Sequence, residues 1–314
     1  MEEFPPVASA ESGQKLLRFL QRRLDYPPSL LHRWIRTGQI RVNGKRCKPF
    51  LRIEAGDIVR VPPFALGGNS FGSSVDPPGL ADAELEERLK ARGLTLIKRI
   101  GDIWALRKAP GMAVQPGGAP GSVAERLAAC FEGSAFKPAP AHRLDFHTGG
   151  VLLAGGSFEA LKYLSEKFAS GQIHKEYLAI VDGAWPWQDS RPLLNHLRLN
   201  AASGLMEVCE KADPGALEAR CIACPIARVG ERTLLQAALL TGRKHQLRIQ
   251  FAHAGHPISG DNKYGGAARP SLFLHSFRII LPDGNEILSL PDWYAPKQPP
   301  PPLLEKELEK TLQG

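Results

Sequence analysis

Nowhere in the 314 residues does an apolar run approach the roughly 18 residues that a membrane-spanning helix needs, so no membrane span or membrane partner is expected. Cysteine is scarce. Five residues, an odd count scattered over a long chain, fit a reducing compartment and argue against a disulfide framework. The opening MEEFPPVASAESG has acids at its head and lacks a basic n-region and an apolar h-region. It does not read as a secretory signal, and the cytoplasm is the expected location. No glycine-rich phosphate loop and no serine-hydrolase elbow is present, so the chain lacks the usual equipment for ATP, nicotinamide or acyl-transfer work and no cofactor is expected.

What is present is unevenly charged. Lys and Arg total 40 against 32 Asp and Glu, a net +8, and residues 1–60 alone hold 12 basic and 6 acidic side chains. A basic segment ahead of a near-neutral remainder is the electrostatic footprint of a nucleic-acid-binding module, because phosphate contacts release counterions. At roughly 100–200 residues per domain the length suits two domains, and 43% apolar residues suffice for real cores.

Residues 14–24 place Leu16, Leu17, Leu20 and Leu24 at helical spacing among Lys15, Arg18, Arg22 and Arg23. SLLHRWIRTG repeats the design, with Ser29 as the expected cap and Gly38 as the stop. Alternating Ile40-Arg41-Val42 runs into Asn43-Gly44, a strong hairpin signal, and 57–62 offers another strand. From Ser29 through the Gly-x-Ile-x-Val-Asn-Gly segment to Gly56-Asp57-Ile58 the chain resembles a small RNA-binding module shared by a ribosomal small-subunit protein, tyrosyl-tRNA synthetases and several RNA-modifying enzymes. The first helix lacks the Arg-Leu-Asp opening usual there. Arg33, Arg36, Arg41, Lys45 and Arg46 are the expected RNA contacts of this module.

The expected domains are the module at 1–62, a flexible Gly/Ser/Pro-rich tether at 63–82, a catalytic body at 83–292 and a Pro-rich tail at 293–314. The tail should end in a short helix with Leu304, Leu308 and Leu312 on one stripe. The body alternates short strands with helices, including strand 151–154, a Ser157-capped helix to about Phe168 and strand 176–181, which is α+β in character.

Three constellations carry chemistry. In AHRLDFHTGG, Asp145 stands at the edge of an apolar strand beside His142 and Arg143; such an acid either works in a partly dry pocket or merely caps a turn. In IHKEYLAIVDG, Tyr177 offers a π surface and a hydroxyl, although an isolated tyrosine is more often core. In TGRKHQLRIQFAHAGHPISGDNKYGG, the cluster Arg243, Lys244, His245, Arg248 and Lys263 is followed by a Gly-Asp-x-x-Tyr-Gly turn whose backbone can approach a substrate.

Together these runs resemble the signatures of RluA-family pseudouridine synthases: H-R-L-D-x-x-T-S-G, with Gly149 in place of Ser; K-x-Y-L-A-x-V-x-G; and T-G-R-T-H-Q-I/L-R…G-x-P-I-x-G-D-x-x-Y-G, with Lys244 in place of Thr. A weaker echo of K-P-x-G-x-x-V-x-P-G lies at 106–118, where Lys108-Ala109-Pro110-Gly111 departs from the usual order. The resemblance implies an α+β catalytic domain with a mixed, largely antiparallel central sheet. It implies Asp145 as catalytic residue, Tyr177 stacking on the target uracil and Arg248 pairing with the acid, with Arg143, Lys175, Arg243, Lys244, His245 and Lys263 meeting RNA. The implied substrate is structured RNA, with large-subunit ribosomal RNA favoured, acted on by a monomer without an obligate protein partner.

Rival readings are weaker. His174-x-Glu176 with Cys221-x-x-Cys224 echoes a zinc deaminase, but Arg220 rather than Pro precedes the first cysteine. His245, His253 and His256 lack an adjacent acid and are broken by Gly255 and Pro257, so no metal is expected. A non-catalytic RNA-binding or ribosome-assembly factor with the same fold is the alternative from another class.

Overall fold

Two helices near the start of the chain each hide one apolar face. The computed structural model describes residues 2–24, 26, 28–62, 65, 81–117, 120–132, 137–295 and 298–303, and the chain divides into two units, Met1–Asp76 and Pro77–Gly314.

In the first unit, β1 (Glu2–Glu3) precedes α1 (Leu16–Arg23) and α2 (Pro28–Thr37), and β2 (Arg41–Val42), β3 (Lys45–Arg46) and β4 (Val59–Val61) follow. Helix α1 buries Leu16, Phe19 and Leu20 and leaves Arg22 and Arg23 exposed; Phe19 takes the place expected of Leu17, which is half-buried. Helix α2 starts one residue ahead of the expected Ser29 cap, since Pro28 is pre-set for a first helical position, and Gly38, at φ 74°, ends it. Asn43 and Gly44, at φ 51° and 74°, make the hairpin turn between β2 and β3. The strands pair in the order β1-β4-β2-β3.

The second unit runs α3 (Asp82–Ala91), β5 (Thr95–Ile100), β6 (Ile103–Lys108), α4 (Val123–Cys130), β7 (Ala139–Pro140), β8 (Gly149–Gly155), α5 (Phe158–Ala169), β9 (His174–Asp182), β10 (Arg191–Leu199), β11 (Met206–Cys209), β12 (Leu217–Val229), β13 (Arg232–Leu239), α6 (Gln246–His253), β14 (Leu274–Ile280) and β15 (Glu286–Leu288). Its 11-stranded sheet follows β11-β10-β12-β13-β9-β14-β8-β6-β5, with β15 on β14 and β7 on β8. Among the strand pairs of the described residues only β14 with β8 is parallel, so the architecture is α+β with a mixed, largely antiparallel sheet. Ser157 caps α5 by accepting from the Ala160 amide.

Strand β8, buried throughout, leads directly out of the Asp145 turn. Gly150 sits at φ 116°, and a Cβ there would meet the Ser276 carbonyl oxygen at 2.1 Å, so only glycine lets β8 lie against β14. At Gly149 a Cβ would stand 3.1 Å from His275 Nδ1 and 3.2 Å from the Pro110 ring.

Strand β9 separates two environments by its alternation. Tyr177, Ala179 and Val181 face the main core, whereas Leu178 and Ile180 face a second cluster with Leu234 and Phe277. Glu176 belongs with the latter side. Its carboxylate takes Arg278 Nη1 at 2.7 Å, Gln236 Nε2 at 2.8 Å and the Leu303 amide at 2.8 Å, and all three side chains are buried. Pro300 and Pro301 add carbonyls to Arg278 Nη2 (2.5 Å) and Gln236 Nε2 (2.8 Å). The Pro-rich segment therefore straps this side of the sheet. The expected helix over Leu304, Leu308 and Leu312, and all of the expected tether except Ala65, Ala81 and Asp82, lie outside the described residues. No helix among the described residues is long and apolar enough to cross a membrane.

Candidate active site

Asp145 lies in a turn closed by the Thr148 amide on its own carbonyl, 3.1 Å. The next carbonyl, Phe146, accepts from the Gly111 amide at 2.9 Å and from Lys108 Nζ at 3.1 Å. Lys108 is buried, and it also donates to the carbonyls of Ala109 and Met112. Burial pulls its ammonium down to about 8, against the Asp145 carboxylate, which favours the charged form. A buried cation thus ties the 108–112 turn to the backbone of the acid. The sequence echo at 106–118 is weak, yet it marks this clamp.

Asp145 opens into a cavity of about 400 Å³, also walled by Arg143, Lys175, Tyr177, Arg243, Lys244, His245 and Arg248. Tyr177 reaches it from β9 and is buried, and burial pushes its phenol well above the ordinary range, with Ser276 acting the other way as a hydrogen-bond partner. The phenol therefore stays neutral near physiological pH.

Helix α6 supplies the buried cation, Arg248. The Gln246 side-chain oxygen accepts from the Thr241 hydroxyl (2.8 Å) and the Arg243 amide (3.0 Å), while its nitrogen donates to the Arg220 carbonyl at 3.0 Å. This fixes the start of the helix, and His245 and Arg248, three apart, point to the same side. Arg248 is buried, and its Nη1 is 3.5 Å from Asp145 Oδ2. Its strongest bonds go elsewhere. Nε and Nη2 grip the two oxygens of buried Asp261 at 2.7 Å each, and the guanidinium lies 5.1 Å from the Tyr264 ring centroid. Arg248 therefore neighbours the acid as expected, but Asp261 is its principal partner.

The Gly-Asp-x-x-Tyr-Gly turn differs from expectation in the same way. A Cβ on Gly260 would meet the Ser271 carbonyl at 2.0 Å, so this glycine serves backbone packing rather than substrate approach, and the aspartate between supplies the anchor for Arg248. Asp261→Asn is expected to slow single-turnover chemistry on the order of 100-fold, since Arg248 loses the charge that fixes it. A stopped-time assay showing a rate within threefold of wild type would contradict this.

The other cations separate into groups. Arg143 and Lys244 are exposed at the cavity, Lys175 is half-buried with burial lowering its ammonium, and Arg243 is half-buried with its Nε on the Glu218 carbonyl. Lys263 is exposed and does not wall the cavity. His245, expected to face RNA, is instead turned inward, its Nδ1 2.7 Å from the Tyr264 hydroxyl. In the first unit Arg36, Lys45 and Arg46 are exposed, Arg33 is half-buried, and Arg41 donates to the carbonyls of Gly38 and Gly44. His142 accepts the Leu153 amide at 2.9 Å, and burial, with Lys175 nearby, drops its imidazole to about 3. It is a neutral clamp. Among the described residues no group of three or more His, Cys, Asp or Glu could hold a metal ion.

Residues that the motifs did not single out for a role include Asp261, Tyr264, Lys108 and Phe146, which stands 47% exposed beside the acid. Buried Lys, Asp and Arg carry no periodic signal in a sequence; only their charge inside otherwise apolar or Gly-rich runs hints at a partner.

The profile of the RNA pseudouridylate synthase family matches residues 102–253. A protein of Salmonella typhimurium named "Ribosomal large subunit pseudouridine synthase C" is 32% identical, covering 90% of this chain and 90% of its own. The protein of that name from Vibrio vulnificus is 31% identical over 96% and 93%. In fold, the chain is similar to a solved structure titled "Human RNA Pseudouridylate Synthase Domain Containing 4", with a TM-score of 0.56 and 20% identity, covering 67% of this chain and 94% of that one.

Proposed function

Since this chain belongs to the RNA pseudouridylate synthase family and isomerises uridine in RNA to pseudouridine, we propose that its substrate is large-subunit ribosomal RNA and that Asp145, Tyr177 and Arg248 carry the reaction. The observation that supports the site is one carboxylate opening into a cavity beside a buried guanidinium and a neutral phenol. The reaction breaks the glycosidic bond from N1 to the sugar, turns the uracil and joins the sugar to carbon 5, whose proton leaves while N1 gains one. No electron or external group is exchanged.

The base must first leave its stack, at a cost of about a few kcal/mol, which stacking on Tyr177 and phosphate contacts offset. Exposed Arg143 fills the gap left in the helix. Asp145 then attacks the anomeric carbon or takes a proton from carbon 2 of the ribose, and both routes need the ionised form. Arg248 supplies a charge that cannot be lost near neutral pH.

The names of the Salmonella and Vibrio relatives, similar over nearly their full length, favour large-subunit RNA. The decisive experiment incubates the protein with unmodified large- and small-subunit RNA and with tRNA, and maps pseudouridine in each. New pseudouridine in the large-subunit RNA is the expected result; modification confined to tRNA would overturn the substrate assignment, and none at all would restore the non-catalytic alternative.

The first unit supplies affinity. Replacing Arg36, Lys45 and Arg46 together with Gln is expected to lower the slope of log Kd against log salt by roughly 2 while single-turnover rate at saturation holds. An unchanged slope would remove phosphate contact from these residues.

A further inference from the structure

We propose that His245 is a positioning residue for the reaction, donating from Nε2 to Oδ1 of Asp145 while Tyr264 behind it fixes the tautomer. This rests on the reading of Asp145 as the reacting acid.

Its backbone is the first observation. His245 sits at φ 57°, ψ 22°, and the other non-glycine residue at positive φ among the described residues, Asn43, belongs to a hairpin turn that favours it. A non-glycine residue in the left-handed region is uncommon, histidine being one of the types found there more often, and such conformations collect at functional sites. Glycine or asparagine would meet the backbone requirement at lower cost. The imidazole therefore has a use of its own.

The direction of the ring is the second. Its side chain is 10% exposed, with Nδ1 2.7 Å from the Tyr264 hydroxyl and Nε2 3.9 Å from Asp145 Oδ1. Asp145 Oδ2 faces Arg248 Nη1 at 3.5 Å, and Arg248 is held back by Asp261. Each oxygen of the acid thus has a different neighbour. Oδ2 has a permanent cation, and Oδ1 has a ring.

Chemistry selects the tautomer. A ring with its hydrogen on Nδ1 would turn the Nε2 lone pair toward an anionic oxygen. With the Tyr264 hydroxyl donating to Nδ1, the hydrogen sits on Nε2 and points at Oδ1. Burial pulls the imidazole down to about 4; Asp145 favours its charged form, while Arg248, Lys244 and Lys263 oppose it. Near neutral pH the ring is an uncharged donor. It aims the carboxylate without cancelling the charge that the chemistry uses. The 3.9 Å separation is of the kind that tightens when substrate fills a site.

Two substitutions separate this role from backbone and RNA-contact roles. Asparagine accepts the left-handed backbone and can bond near the Nδ1 position, but is too short to reach Asp145. Glutamine places its amide nitrogen near the Nε2 position. In the full-length protein, single-turnover release of tritium from carbon 5 of uridine is measured alongside Kd for the same RNA. His245→Asn is expected to lose about 100-fold in rate with Kd within twofold, His245→Gln to recover at least about tenfold of that loss, and Tyr264→Phe to lose about tenfold. A full rate in His245→Asn would show a backbone role, and a Kd that weakens in step with rate would show an RNA contact. Either overturns the proposal. Asp145→Asn run in parallel keeps failure of the underlying assignment distinct: turnover there sinks the acid, whatever the histidine variants do.

Discussion

Asp145→Asn should lower single-turnover pseudouridine formation by about 10⁴-fold or more while RNA affinity changes by less than about twofold. The amide keeps the shape of the carboxylate and the turn hydrogen bond from the Thr148 amide, which uses backbone only. What disappears is the anion. Nothing nearby replaces it, because Asp261 is committed to Arg248 through two 2.7 Å bonds and burial holds the Tyr177 phenol neutral. Arg248 keeps its place through Asp261, so the cavity should retain its form and the RNA should still bind. Tritium release from carbon 5 measures the rate and filter binding the affinity. A rate within tenfold of wild type would remove Asp145 from the chemistry.

Glu176→Ala should destabilise the second unit by about 3 kcal/mol, the low end of the usual cost of removing one partner of a buried ion pair, because the exposed Glu286 still faces Arg278. Arg278 is 2% exposed and would keep the Pro300 carbonyl as an acceptor and Glu286 as an ion-pair partner but lose its buried counter-charge. Gln236 and the Leu303 amide would lose an acceptor as well. The change also reaches the site indirectly, since residue 176 and Tyr177 occupy opposite faces of one strand and a single-residue slip would exchange them. Urea unfolding followed by tryptophan fluorescence reads the loss. The paired replacement Glu176→Leu with Arg278→Met should regain most of it, because an apolar pair needs no counter-charge. A fall of under 1 kcal/mol in Glu176→Ala would mean that the strap, not the ion pair, holds this side of the sheet.

These two sites differ in how far the sequence discloses them. Asp145 is legible because its surroundings are local: a turn, two glycines and a buried strand within a dozen residues. Asn43-Gly44 and the Ser157 cap are legible for the same reason, each being a bond between near neighbours. The ion pair is not, for Glu176 and Arg278 lie 102 positions apart and meet only because β9 and β14 are adjacent in the sheet. Asp261 is a similar case at shorter range. A Gly-Asp turn reads as a loop until the turn is seen closing on α6. The direction of His245 was hidden by its basic neighbours, which make the whole run look like a solvated face.

Gly149 and the altered order Lys108-Ala109-Pro110-Gly111 looked like two unrelated departures from the family's pattern. In space they are one, since the Pro110 ring occupies the room beside the absent Cβ of residue 149, 3.2 Å from where that carbon would be. The glycine at 149 and the proline at 110 are therefore neighbours in one tight contact, each setting how much room the other has. Putting a side chain back at 149 would press on the Pro110 ring and on His275 and require each to yield by a few tenths of an ångström, whereas glycine there leaves the entry to the strand beside the acid unloaded.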